Sequence, residues 1–351
     1  VLNFNDCIEE IYISEISEAE NEIADAIGKI KVESMINAGT YTGRNINVGI
    51  VEALGVPQAD TYPSDYSGRN IVIEEGMTGV RPHADHVTMI AAGNNGIARG
   101  SNIFATKATN GPTDYLQWLI DNNVNVVNTS FGDGGDEGVY TSDAKKVDQI
   151  IRNSFITIVG SAGNNSSRTT SPKTAYNYIT VGNSHDSTLF RRSTSSYVEA
   201  SGYGASKPNL MAPGSTTTNA SSGSGTSYAS PQVAGCLALL MEEFPFLVAY
   251  PELCLSVVTS SASPMSSTYN TLSGDNYYDQ SGLHNEIGAG LLNYEKMREA
   301  MNNYVSITRA RNSSIEDLDD TGETLEFTAS KNQGSKSLEK KDQKAGGQSR
   351  A

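Results

Sequence analysis

The sequence predicts an α/β protein built on a parallel sheet with helices on both faces. Three observations carry that expectation. Short apolar runs, rich in Val and Ile, recur between residues 46 and 181. Segments with helical spacing of apolar residues separate them, and residues suited to chemistry fall directly after the runs. Parallel strands buried on both faces give such continuous runs, and the sites of such sheets form at the carboxyl ends of the strands.

In chain order, Ser17-Glu18-Ala19-Glu20 has the spacing of a capping box, and Ile23, Ile27 and Ile30 then recur at helical spacing. Residues 32–37 read as a second short helix, stopped at Ala38-Gly39. Residues 46–51 read as a strand whose end carries Glu52. A helix over 83–93 is entered from a turn at Pro82. The alternation continues with a strand at 101–108, a helix at 115–122 and a strand at 124–128. A helix at 144–153 and strands at 155–159 and 178–181 complete it.

The most informative stretch is Gly225-Thr226-Ser227-Tyr228-Ala229-Ser230-Pro231-Gln232-Val233-Ala234-Gly235, a glycine-rich loop running into a helix that is apolar nearly all round through residue 240. A Ser at the mouth of such a helix sits among unpaired backbone N–H groups and the positive end of the dipole, where charge developing on a reacting carbonyl oxygen is stabilised. The plainer reading makes Ser227 an N-cap. Pro231 is expected early in the helix, where a missing N–H costs least.

Other strand ends carry complementary groups. Glu52 follows the strand over 46–51. His83 opens a helix in Pro82-His83-Ala84-Asp85-His86-Val87. Asn128-Thr129-Ser130-Phe131-Gly132 follows the apolar part of its strand, 124–127, and Ser161-Ala162-Gly163-Asn164-Asn165 follows the strand over 155–159. An acid, a base, an amide donor and a hydroxyl make up the parts for acyl transfer.

These residues resemble the subtilisin-like serine proteases, the subtilases, over roughly residues 30–302. Gly225-Thr226-Ser227-Tyr228-Ala229-Ser230-Pro231 stands beside the family's Gly-Thr-Ser-Met-Ala-Ser-Pro around its nucleophile. His83-Ala84-Asp85-His86-Val87 stands beside His-Gly-Thr-His-Val, and Ala162-Gly163-Asn164 beside the Ala-Gly-Asn of the oxyanion donor. Asn128-Thr129-Ser130-Phe131-Gly132 is similar to the strand that pairs with bound peptide. Leu210-Met211-Ala212-Pro213-Gly214 and Gly288-Ala289-Gly290-Leu291-Leu292-Asn293 match two further landmarks. The acid, His, Ser order is also that of subtilisin.

The resemblance implies a three-layer sandwich around a central, mostly parallel sheet, and a serine endopeptidase acting on peptide or protein. It implies Ser227, His83, Glu52 and Asn164 as catalytic residues, with Ser130, Phe131, Gly132, Ala162 and Gly163 as substrate-binding ones. No cofactor is required. Structural calcium is common in the family, but no ligand loop with recognisable spacing is found here, and no metal site is assigned. Two other classes share the resemblance: an inactive relative that binds peptide in the same cleft, and a transpeptidase or macrocyclase in which an amine resolves the acyl-enzyme.

The sequence departs from the family in several places. Glu52 replaces the usual Asp, Ala84 and Asp85 replace Gly and Thr, and Tyr228 replaces Met. Thr88 and Met89 are larger than the usual residues there, and would accompany an imidazole displaced by the longer acid. Asp85 lies only two residues from His83 on one helix and so should not face it, which makes it a solvated or supporting carboxylate. His86 reads as a packed helix residue, and His185 and His284, in polar stretches, as surface residues. The loop Asp133-Gly134-Gly135-Asp136-Glu137-Gly138 reads as a solvated turn, or as negative charge on the substrate rim like that of kexin-like relatives.

The formal charge of −15, from 40 acidic and 25 basic residues among 351, argues against binding a phosphate backbone. No apolar run is long enough to span a bilayer. The compartment stays open, with secretion or the cell surface favoured over the cytoplasm; oligomeric state is undetermined. The three cysteines, Cys7, Cys236 and Cys254, form no disulfide or zinc pattern, and the last two read as core. The expected division is an N-terminal extension over 1–29, in which no separate pro-domain is evident, and a peptidase domain over 30–303. A small β appendage or the start of a truncated domain over 304–330 follows, then a disordered tail over 331–351.

Overall fold

A computed structural model of the chain describes residues 22–109, 111–132, 137–166, 168–185, 190–198, 206–265, 283–303, 305–309 and 327–331. Seven strands make the main sheet: β1 (Asn47–Glu52), β2 (Ile71–Ile73), β3 (Asn102–Lys107), β4 (Val126–Thr129), β5 (Thr157–Ser161), β6 (Ile179–Ser184) and β7 (Leu210–Pro213). Their order is β2-β3-β1-β4-β5-β6-β7, and every neighbouring pair is parallel. From β1 the chain crosses to the edge strand β2, returns to β3 beside β1, and then winds outward through β4 to β7, so the carboxyl ends of β1, β4 and β5 lie side by side.

Successive side chains of each strand point to opposite faces, and both faces are apolar. Val48 and Ile50 of β1, Val126 of β4 and Val159 of β5 join a core with α4 (Pro82–Ala92) and α7 (Thr226–Glu243). Val51, Val127 and Ile158, their neighbours along the chain, join a second core with α5 (Pro112–Asp121) and α6 (Ser142–Ser154). The result is the expected three-layer sandwich. Every residue of α7 from Ala229 to Met241 is buried, as its apolar character all round predicts. Truncating one of its fully buried leucines, such as Leu239, to Ala costs about 2–5 kcal/mol. Cys236 and Cys254 are core residues, as expected.

Helix starts follow simple chemistry. Pro82 and Pro112 open α4 and α5, where no N–H is needed. Thr141 caps α6 by accepting from the Ala144 N–H at 3.3 Å. The remaining helices are α1 (Glu22–Lys29), α2 (Glu33–Ala38), α3 (Pro63–Tyr66), α8 (Pro251–Ser260) and α9 (Tyr294–Asn303). Strands β8 (Ser215–Thr217) and β9 (Ser222–Ser224) form an antiparallel pair just before α7. β10 (Val305–Arg309) and β11 (Phe327–Lys331) form another.

Several boundaries differ from expectation for local reasons. Phe155, read as the start of a strand, ends α6 in the left-handed conformation (φ 60°), and β5 begins at Thr157. Val124 closes the turn after α5 by donating its N–H to the Leu119 carbonyl, so β4 begins at Val126. Glu52 is the last residue of β1, opposite Lys107, rather than the first beyond it. Lys331, assigned to the tail, ends β11. β2, with three residues, is too short to show a period. The capping box at 17–20, Asp133 to Asp136 of the acidic loop and the tail beyond 331 lie outside the described residues.

Candidate active site

Glu52 and His83 meet across the end of β1 and the first turn of α4, with Glu52 Oε2 and His83 Nδ1 2.8 Å apart. Glu52 is only 5% exposed, and its Oε1 has no hydrogen-bond partner among the described residues. The His83 side chain is 34% exposed. Burial disfavours the charged imidazole, but the hydrogen bond and negative charge of Glu52 together outweigh it, and the His83 pKa stands above its ordinary value. A carboxylate on Nδ1 leaves Nε2 as the ring nitrogen that takes and gives protons.

The surroundings of Ser227 are held more tightly. Gly225 is the N-cap of α7, which places Ser227 second in the helix rather than at the cap, and half-buried. Pro231 lies inside the helix, four residues after Ser227 and further in than expected. Proline has no N–H, so the Ser227 carbonyl has no helical donor. The Ser130 hydroxyl donates to it instead, at 2.9 Å. In return the Ser227 hydroxyl donates to the Ser130 carbonyl at 3.1 Å. Asn128, through its Nδ2, donates to Ser130 Oγ at 2.9 Å, and Ser230 Oγ donates to Asn128 Oδ1. The proline thus opens a polar clasp between the end of β4 and the helix that carries Ser227.

Asn164 follows β5 and is exposed. Its Oδ1 accepts from the Thr226 N–H at 2.8 Å and from Thr226 Oγ1 at 3.0 Å. Two donors on the oxygen fix the amide, so Nδ2 is the end turned outward as a donor. A Cβ at position 225 would lie 3.1 Å from that Nδ2, so glycine leaves room for the amide there. The Gly163 N–H donates to Thr226 Oγ1 at 3.1 Å, and Gly163 itself has a φ of 114°, which favours glycine. Thr226 is a residue the sequence reading did not single out. Its only signal was its place beside Ser227.

The segments expected to bind substrate are partly engaged within the protein. The Ala162 N–H donates to the Val181 carbonyl, and the Gly163 carbonyl accepts from Ser196. The Phe131 carbonyl accepts from Nζ of the buried Lys173, a second residue the sequence did not flag. Gly132 is exposed, with nothing within 4 Å of where a Cβ would stand.

Of the two readings of Asp85, the supporting one holds: it is fully buried, and the Gln58 N–H (2.7 Å) and the Tyr66 hydroxyl (3.2 Å) donate to its Oδ1. Burial is the main cause that raises its pKa, against those two bonds. Asp65 is buried in α3 and accepts from Asn219 Nδ2 at 2.7 Å. His284 is buried, not on the surface, and its Nδ1 accepts from the Glu286 N–H. His86 is packed as expected, between Ser221 Oγ (2.6 Å) and Thr216 Oγ1 (2.8 Å). Burial, with a smaller contribution from His83, pushes its pKa down to about 4. Among the described residues no group of three or more His, Cys, Asp or Glu gathers in metal-binding fashion, and no helix is long and apolar enough to cross a membrane.

An imidazole on a buried carboxylate, a serine in the first turn of a helix with its hydroxyl on the Ser130 carbonyl, and an oriented amide are parts that serine-type acyl transfer uses, set here at the ends of parallel strands and the starts of helices. The model of the subtilase family matches residues 56–290, a stretch that includes His83, Asn164 and Ser227 and begins after Glu52. The chain belongs to the subtilase family, the subtilisin-like serine proteases. It is 30% identical over 275 residues to subtilisin DY of Bacillus licheniformis, covering 71% of this chain and 92% of that protein. It is 30% identical over 267 residues to subtilisin E of Bacillus subtilis (strain 168), covering 68% of this chain and 65% of that one. Among solved structures it resembles the CspB protease of Clostridium perfringens (TM-score 0.64, 17% identity, 79% of this chain and 97% of that one). It also resembles the prenylagaramide maturation protease PagA (TM-score 0.60, 19% identity, 76% and 97%). At those identities the likeness to the two structures is one of fold.

Proposed function

We propose that this chain is a serine endopeptidase working through a Ser227–His83–Glu52 triad. The observation that supports it most directly is the 2.8 Å contact between the buried Glu52 carboxylate and His83 Nδ1. That contact selects the tautomer with Nε2 unprotonated, the form a general base needs. Rotation of Ser227 about χ1 takes its hydroxyl from the Ser130 carbonyl toward the imidazole. Its proton then passes to Nε2 as Oγ attacks the carbonyl carbon of the peptide. The negative charge formed on the carbonyl oxygen is received by Asn164 Nδ2 and the Ser227 N–H. The imidazolium next protonates the departing amine, and water resolves the acyl-enzyme by the same steps in reverse. Extended peptide lies along the open edge at Gly132, with Ser130, Phe131, Ala162 and Gly163 as walls.

Fluorophosphonate labelling tests the reading. The wild type is expected to be labelled at Ser227, and Ser227→Ala to lose both labelling and peptide hydrolysis while still folding, since a small residue is tolerated at that position. Labelling that persists in the Ala variant would place the nucleophile elsewhere, and a wild type that never labels would make the protein a peptide-binding relative. Product masses obtained with an added amine separate hydrolysis from transpeptidation.

A further inference from the structure

Glu is one methylene longer than Asp and has one more rotatable bond, so a buried Glu needs more help to present one oxygen in a fixed place. Glu52 receives little. Its Oε1 has no hydrogen-bond partner among the described residues, and its Oε2 meets His83, a side chain that is itself one-third exposed. The larger residues Thr88 and Met89 do not supply the missing support. Thr88 is buried and donates its hydroxyl to the Ala84 carbonyl of its own helix, and Met89 lies in the core.

The residue that does approach the imidazole is Tyr228, next to the nucleophile. Its ring centroid is 5.5 Å from that of His83, with the planes tilted by 46°. The same ring stacks on His86 at 4.2 Å and 23°. His86 is held at both ring nitrogens by Ser221 and Thr216 of the β8–β9 unit. A Cβ at Gly223 would stand 2.8–3.1 Å from three atoms of the Tyr228 phenol, so the phenol lies directly on the backbone of β9. The ring is therefore braced by His86 and by the backbone of β9, and it faces His83, whose side chain is one-third exposed.

We propose that Tyr228 is the positioning residue for His83, and that its braced ring is what lets this site use a glutamate. The ring restricts the swing of the imidazole away from Glu52, doing by shape what additional hydrogen bonds to the carboxylate do not do here. This rests on the reading of His83 as general base.

The test uses the full chain and the rate of Ser227 labelling by a fluorophosphonate, resolved into a maximal rate and a half-saturating concentration. Tyr228→Leu should lower the maximal rate by roughly 10–100-fold, the scale of a displacement of about 1 Å in a reacting group. The half-saturating concentration should stay within about threefold, since the ring does not bind the reagent. Tyr228→Phe, which keeps the ring, should remain within about fivefold of wild type. In the Tyr228→Leu background, Glu52→Asp should cost less than it does in the wild type, because the fit to the longer acid is already lost. A Leu variant that labels at the wild-type maximal rate, equal losses in Leu and Phe, or strictly multiplicative losses with Glu52→Asp would each overturn the proposal. Thermal melting identifies a Leu variant that fails to fold, in which case the Phe variant and Tyr228→Met, with and without Glu52→Asp, carry the same comparison. A wild type that does not label overturns the enzymatic reading as well. A labelled wild type with an unaffected Leu variant overturns the positioning role alone.

Discussion

Around Ser227, the residues Ser130, Thr226, Asn164 and Gly163 are joined to it and to one another by a web of hydrogen bonds that uses backbone as well as side-chain atoms. Glu52 and His83, by contrast, share one contact, and His83 has an aromatic neighbour. Backbone-anchored groups lose little geometry when one partner changes, whereas a pair held by a single hydrogen bond depends on both of its members. The difference predicts unequal responses to substitution in the two groups.

The steepest response is expected at Glu52. Glu52→Gln keeps the shape but offers an amide that can favour the wrong imidazole tautomer. Its kcat/KM near pH 8 should fall by roughly 10³–10⁴, by analogy with the Asp→Asn change in a Ser-His-Asp protease. Glu52→Asp should retain part of the activity without exceeding wild type. A Gln variant within about tenfold of wild type, ~1.4 kcal/mol in transition-state stabilisation, would remove Glu52 from the triad.

Asn164→Ala comes next, with a loss on the order of 10²–10³ in kcat, a magnitude taken from the equivalent oxyanion donor of subtilisin itself. A change confined to KM would make Asn164 a substrate contact. The tighter group should show its redundancy at Thr226. Thr226→Val removes Oγ1 but leaves the backbone N–H on Asn164 Oδ1, so kcat should fall only about tenfold or less. A loss as large as that of Asn164→Ala would mean that the hydroxyl alone holds the amide.

Two histidines one helical turn apart sharpen the comparison through pH. The His83 pKa is raised, so activity, which needs the neutral ring, should fall as pH drops through a value above the ordinary ~6.5. The stabilising contribution of the protonated pair runs the other way. It is complete below ~6.5 and is lost as pH rises through the folded His83 pKa. His86 is lowered to about 4. Its contribution is complete above ~6.5 and declines as pH falls from there toward about 4. A pH–rate profile with its acid limb below 6 would contradict the raised value at His83. Melting temperatures between pH 7 and pH 4 that do not fall more steeply in wild type than in His86→Asn would contradict the lowered one at His86.

The sequence by itself determined the parallel sheet, the helices on both faces and most of the site. These are written locally, in apolar runs, in spacing along a helix and in the short motifs around Ser227, His83 and Asn164. Its errors were also local. The apolar Phe155 looked like a strand residue yet ends a helix, and polar flanks made the buried His284 look solvated. The pairing of Glu52 with His83, 31 residues apart, was expected from chain order, and the tertiary structure added what occupies the nearer Asp85, namely Gln58 and Tyr66. It also decided that Ser130 answers the carbonyl freed by Pro231, that Thr226 orients Asn164, and that Tyr228 stands between two histidines. Such contacts join strand ends and helix starts far apart in the chain. Their partners are chosen by the order of strands in the sheet and by the space left between packed side chains, neither of which has a signature in any short stretch of sequence.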